Sequence, residues 1–184
     1  MGTILTTAFY QLPQGITKQL NENVYLDGKV VCPFDPDLSL TNQLKKLGVD
    51  CEGNPDVERA LDIHYWRALK EQNTNWIVVN TSGADQRVKE YILNYSTDIA
   101  TEGIALLDRL SFLEPAKGRK EFLLANKLSN LVVLHPRPNF RAVGGKKDSV
   151  TSAWFVFRKK ENWQDGVDLS FALSWQGTES LPTL

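Results

Sequence analysis

The sequence predicts an α/β domain of the Rossmann-like, doubly wound kind, with a mostly parallel seven-stranded sheet and an antiparallel C-terminal hairpin at one edge. Short apolar runs alternate with amphipathic stretches from about residue 29 onward, the pattern of crossover units laid on a parallel sheet. Two aromatic-rich, strand-like runs close the chain, and they supply the hairpin. With 42% hydrophobic residues in 184, the sequence suits one domain, residues 1–184, whose core needs no metal or disulfide staple. No repeat, linker or low-complexity segment divides it.

Lys29 to Cys32 is a short apolar run that Pro33 and Pro36 stop from continuing as strand or helix. A helix follows. Asp37 or Ser39 caps it, Leu40, Leu44 and Leu47 recur at helical spacing, and Gly48 provides a left-handed stop. Val49 to Glu52 is the next strand, and residues 56–72 read as a helix, a brief strand or turn, and another short helix. Trp76 to Val79 is the clearest buried strand. A helix from about Ala84 to Tyr95 then turns Val88, Tyr91, Ile92 and Tyr95 inward and Asp85, Arg87, Lys89 and Glu90 outward. Ile104 to Leu107 and Leu110 to Leu113 read together as one strand. Pro115 opens a helix with Lys117, Arg119 and Lys120 outward and Phe122, Leu123 and Leu124 inward. Leu131 to Leu134 is a further strand, and Ser152–Arg158 and Val167–Trp175 form the expected hairpin.

Cys32 and Cys51 lie inside apolar runs and read as reduced core thiols of a cytoplasmic protein. No apolar run approaches the roughly 18 residues of a membrane span, and no secretory leader is expected. The opening Met1 to Thr6 fits the loose myristoylation pattern by chance. The net charge of −1 hides a strong asymmetry: residues 115–160 carry 11 Lys/Arg against 2 Asp/Glu, while residues 1–114 carry 10 against 16. Such a block is the footprint of a surface that meets a polyanion, or else a solvated cationic face balanced by the acidic front half. Lys117, Arg119, Lys120, Arg137, Arg141, Lys146 and Lys147 are its candidate nucleic-acid contacts.

Ligands of open α/β sheets lie beyond the carboxyl ends of the strands, which directs attention to residues 33–37, 52–54 and 80–83. His64 and His135 have no neighbouring Cys or carboxylate at ligand spacing, so no metal site is expected. Gly144-Gly145-Lys146-Lys147 lacks the spacing and the Ser or Thr of a phosphate loop and reads as a basic turn. The five Trp residues read mainly as core, with Trp163 in a polar stretch.

Residues Trp76 to Gly83 and the following helix, Gly103 to Pro115, His135 to Phe140, and Asp148 to Phe155 together form a recognisable series. It resembles the class I S-adenosylmethionine-dependent adenine methyltransferases of phages and mobile elements, well over residues 76–160 and loosely over 9–75. In that family the strand before the helix ends in Asn-Pro-Pro-aromatic. The Asn side chain and the next carbonyl hold the amino group of a flipped adenine, and the aromatic residue stacks on the base. The resemblance therefore assigns Asn80 as the catalytic residue, with Phe34, Glu52 and Asp62 holding the donor, S-adenosylmethionine.

The chain departs from the family pattern at each motif. Thr81, Ser82 and Gly83 replace both prolines and the aromatic, and lost stacking alone weakens the hold on a base by about 1 to 3 kcal/mol. No glycine follows the first strand before Gly48, and Asp35 and Asp37 add carboxylates where the donor's own would lie. Phe9 to Pro13 resembles the family's aromatic-Thr-Pro box without its threonine. Asn80 also fits a plain turn residue, and Glu52 and Asp62 also fit ordinary loop carboxylates. Three expectations follow: a DNA adenine-N6 methyltransferase relative with weakened or lost catalysis, a non-catalytic pseudoenzyme without cofactor that binds nucleic acid or a protein partner through a basic surface, and a purely protein-binding chain whose basic face docks an acidic partner.

Overall fold

The structure is a computed structural model that describes residues 12–114, 119–138, 140, 150–159 and 166–173. Among these residues one sheet holds seven strands: β1 (Val30–Cys32), β2 (Cys51–Gly53), β3 (Trp76–Asn80), β4 (Gly103–Arg109), β5 (Lys127–His135), β6 (Ser152–Arg158) and β7 (Asp168–Leu173). Their order is β2-β1-β3-β4-β6-β5-β7, and every strand except β6 runs in the same direction. Five helices accompany them: α1 (Ile16–Asn23), α2 (Ser39–Lys46), α3 (Ile63–Glu71), α4 (Gln86–Ile99) and α5 (Arg119–Ala125).

Strand alternation sorts the apolar residues onto two faces. Val30, Cys32, Trp76 and Val78 meet Ile16 and Leu20 of α1 and Leu40 and Leu44 of α2 on one side. Val31, Ile77, Val79, Ile104 and Leu106 meet Trp66 of α3, Val88 and Ile92 of α4 and Phe122 of α5 on the other. The expected seven-stranded, mostly parallel α/β sheet with an antiparallel hairpin is thus observed. No helix of the described residues is long and apolar enough to cross a membrane.

Three local expectations are corrected. The hairpin joins β5 to β6, not Ser152–Arg158 to the segment after it: β6 pairs with β4 on one side and β5 on the other, which leaves β7 only the free edge of β5, where it lies parallel. The buried run Ala153 to Phe157 is what a central strand needs, flanked and covered on both faces, whereas β7 alternates exposure as an edge strand does. Leu110–Leu113 is a 3-10 turn and not strand, because the ladders of β4 end at Asn80–Leu107 and Ser152–Arg109. Leu124 points outward, 71% exposed, while Phe122 reaches an aromatic cluster with Phe112 and Phe157. Helix α1 was not expected; Ile16 and Leu20 are wholly buried, and the carbonyl of Ile16 accepts from Trp154 Nε1 at 2.9 Å.

Gly103 starts β4 where three strands crowd together. A Cβ there would stand 2.5 Å from the Phe157 carbonyl oxygen and 2.7 Å from the Trp76 ring, so backbone would have to shift. Gly103→Ala is expected to lower unfolding free energy by about 1 to 3 kcal/mol in urea titration, since overpacked cores cost that much.

Candidate functional site

β1 and β3 are parallel neighbours, with Val31 opposite Ile77, so the segments after Cys32 and after Asn80 emerge at the same end of the sheet. Between them the chain order reverses: β2 lies to one side of β1, while β3 and β4 lie to the other. Such a reversal opens the crevice in which doubly wound sheets bind ligands.

In this chain the β1 side of the crevice is tightly knit. The Asn54 amide donates to the Cys32 carbonyl at 2.9 Å, the Asp35 amide donates to the Asn54 carbonyl at 3.0 Å, and Asn54 Nδ2 donates to the Pro33 carbonyl at 3.0 Å. Phe34 is 5% exposed and packs in the core cluster that holds Trp66 and Tyr65. Asp35, 4% exposed, takes the role expected of Asp37 or Ser39 at the start of α2. Its carboxylate accepts from the amides of Leu40 and Thr41 at 3.2 and 2.8 Å and from Thr41 Oγ1 at 2.5 Å, while Asp37 accepts only from the Ser39 amide. Burial pushes the Asp35 carboxyl above its usual range, and the bonds from Thr41 and Leu40 pull it back only in part.

The other assigned residues are dispersed. Glu52 is exposed and pairs at 3.5 Å with Lys29, whose ammonium also donates to Gln72 just past α3, so its carboxylate leans toward the amino end of the sheet. Asp62 caps α3, accepting from the His64 amide at 2.9 Å. Asn80 stands half-buried at the mouth of β3, where Oδ1 accepts from both the amide and the hydroxyl of Ser82, at 3.1 and 2.7 Å. That is an Asx turn, and it occupies both lone pairs of the oxygen.

The same end of the sheet holds a polar centre that sequence reasoning missed. Asp108, 2% exposed at the end of β4, binds Lys89 of α4 at 2.6 Å, the Thr81 hydroxyl at 2.7 Å and the Arg109 amide at 2.7 Å. Lys89 was expected on the outer face of its helix; it turns inward because the buried carboxylate needs a cation. The signal was available: Asp108 directly ends a buried strand, the same rule that singled out residues 33–37, 52–54 and 80–83. Beside this centre lies a cleft of about 330 Å³ lined by Gly83, Lys89, Asp108, Arg109, Ser111 and Arg119, among others. Among the described residues no His, Cys, Asp and Glu side chains gather as a metal site.

The basic block divides between the two ends of the sheet. Lys127, Arg158 and Lys159 lie at the amino end, where Arg158 covers the Trp76 ring at 4.6 Å and Lys159 donates to the Thr97 carbonyl. Arg119, Lys120 and Arg137 lie at the carboxyl end, beyond β4 and β5, and Lys120 and Arg137 are exposed there. Lys117, Arg141, Lys146 and Lys147 fall outside the described residues.

No protein-family model matches the sequence, and no curated protein does. Solved structures do. A candidate class I S-adenosylmethionine-dependent methyltransferase from Listeria monocytogenes superposes with a TM-score of 0.57 at 10% identity, over 95% of this chain and 69% of its own. The modification subunit of a candidate type I restriction enzyme from Vibrio vulnificus gives 0.52 at 14% identity, over 84% and 45%. A chain of a type I restriction-modification system gives 0.53 at 14% identity, over 83% and 42%. The chain therefore spans less than half the length of the last two. The protein has the fold of the class I S-adenosylmethionine-dependent methyltransferases.

Two outcomes follow from the buried carboxylates. Lys89→Met leaves Asp108 without its cation and is expected to cost about 3 to 5 kcal/mol of stability in denaturant titration, as broken buried pairs do; a loss under about 1 kcal/mol contradicts that role. For Asp35 the folded-state pKa is raised, so its contribution to stability is full at acid pH and is lost as pH rises through that value. The stability advantage of the native chain over Asp35→Asn should therefore shrink as pH rises above the ordinary aspartate value of about 4, measured by urea unfolding at each pH.

Proposed function

We propose that this protein is a methyltransferase-fold pseudoenzyme, related to DNA adenine-N6 methyltransferases, that no longer holds the methyl donor and acts by binding nucleic acid. The knitted β1 tail carries the reading. A donor molecule in the crevice needs backbone it can approach closely after β1, and residues 32–35 are instead bonded to Asn54, with Phe34 buried in the core. Opening them would break three hydrogen bonds worth about 0.5 to 1.5 kcal/mol each and expose an aromatic ring worth about 1.5 to 3 kcal/mol. That is at least about a hundredfold in donor affinity. Phe34, Glu52 and Asp62, pointed to three different tasks, do not fit the donor.

The target-base side supports the same reading. Asn80 Oδ1 is engaged by Ser82, and the residues that would fix and stack a base are Thr81, Ser82 and Gly83. Beyond β4 and β5 the carboxyl edge carries a group of cations, Arg109, Arg119, Lys120 and Arg137. Long-range attraction to phosphates needs only such charge and accessible surface.

Titration calorimetry with S-adenosylmethionine is expected to show no saturable heat up to millimolar ligand. Saturable micromolar binding would restore the enzyme reading. Fluorescence anisotropy with a labelled oligodeoxynucleotide should show binding at low salt that weakens steeply as salt rises; binding indifferent to salt, or none, removes the nucleic-acid function.

A further inference from the structure

We infer that the cleft between the β3–α4 loop and the 3-10 turn after β4 is a phosphate-binding pocket, which rests on the nucleic-acid reading above and gives it a location. The cleft, about 330 Å³, is at the small end of the range for ligand sites, and its walls are mostly polar. Three cations border it, Lys89, Arg109 and Arg119, against one carboxylate, Asp108. That carboxylate is spent: Lys89 neutralises it, and the Thr81 hydroxyl and the Arg109 amide occupy its oxygens. Two arginines therefore face the cleft with their charge uncompensated there.

Arg119 points to a ligand more directly. Its guanidinium carries five N–H donors, and the protein supplies acceptors for one nitrogen, Nη1, which binds the carbonyls of Ser111 and Phe112 at 2.8 and 3.0 Å. Those bonds, together with the Phe112 ring 5.8 Å beneath, hold the plane in place. Nε is buried and has no acceptor, the one such side-chain atom among the described residues, and its burial keeps it from the cleft, so Nη2 is the nitrogen left to meet an anion there. Buried donors without partners are rare in folded proteins, and an arginine fork held with donors to spare suits the oxygens of a phosphate. The start of α4, beside the cleft, is already capped by the Asp85 carboxylate, which accepts from the Arg87 amide at 2.9 Å, so the arginines and not the helix dipole supply the attraction, and Gly83 lets a ligand approach the backbone without a side chain in the way. Exposed Lys120 follows Arg119 on α5, and exposed Arg137 stands beyond β5 at the same sheet end, so a chain of phosphates entering the cleft would meet further cations.

The test uses the full chain, with inorganic phosphate and a single-stranded oligodeoxynucleotide as separate probes. In an amide NMR titration, phosphate is expected to give saturable shifts centred on Gly83, Ala84, Arg109, Ser111 and Arg119. Arg109→Gln removes an exposed charge without touching the core, and Arg119→Gln removes the anchored fork. Each should weaken oligonucleotide binding about threefold to tenfold and make its salt dependence less steep by about one unit of log–log slope. Phosphate shifts in the cleft without oligonucleotide binding uphold the pocket for a free phosphate and end the nucleic-acid reading. Oligonucleotide binding that both variants leave intact, with cleft amides unmoved by phosphate, overturns the pocket and leaves that reading standing. Silence toward both probes overturns both.

Discussion

The parallel pairing of β1 with β3 is the constraint from which the rest of the molecule follows. Only two residue pairs define its register, Val30 with Trp76 and Val31 with Ile77, yet it puts the tail of β1, the Asx turn after β3 and the buried aspartate of β4 at one end of the sheet. Helices leaving that end must run back across the faces, so their amino termini gather there as well. Any function read from this fold is a function of what the chain has done with that end.

The chain has spent its carboxylates there on itself. Asp35 holds the start of α2, and Asp108 holds α4 to β4 through Lys89 while gripping Thr81. Buried carboxylates used in this way cease to project negative potential into solvent, because each is matched by donors or by a cation. Arg119 at the same end meets two carbonyls and a ring rather than a carboxylate. Beyond β4 and β5 the chain carries Arg109, Arg119, Lys120 and Arg137, a local cluster of cations that the net charge of −1 conceals.

Much of this was legible in the residues. The apolar runs at 30–32, 76–79, 104–107 and 152–158 are strands, and Gly48, at φ 83, is the left-handed stop it was expected to be. Pairing was harder to read, because periodicity reports which face a residue occupies and says nothing about which neighbour a strand takes. The unbroken buried run of β6 was the clue to a central position, and β7, with Leu169, Phe171 and Leu173 exposed on one face, was the clue to an edge. Helix α1 was missed for a related reason: Ile16 and Leu20 give only one helical repeat, and its burial comes from distant Trp154 and β5 rather than from local pattern. At the site, position along the chain pointed to the segments after β1 and β3, which do emerge at one end of the sheet, but the roles of Asp35 and Lys89 depend on partners in other elements that spacing does not reveal.

The closed β1 tail and the basic cleft belong together physically. Ligand crevices are maintained at a cost, with glycines, unsatisfied donors and exposed apolar walls that a folded chain would otherwise pair or bury. On the β1 side those costs are gone: Asn54 satisfies the backbone, Asp35 satisfies α2, and Phe34 lies in the core. Beyond β4 one of them persists, in a guanidinium fixed by its neighbours and still short of acceptors. The asymmetry between the two sides of the same sheet end is what motivates the proposed site, and the sign of the charge beyond β4 suits the anion proposed for it.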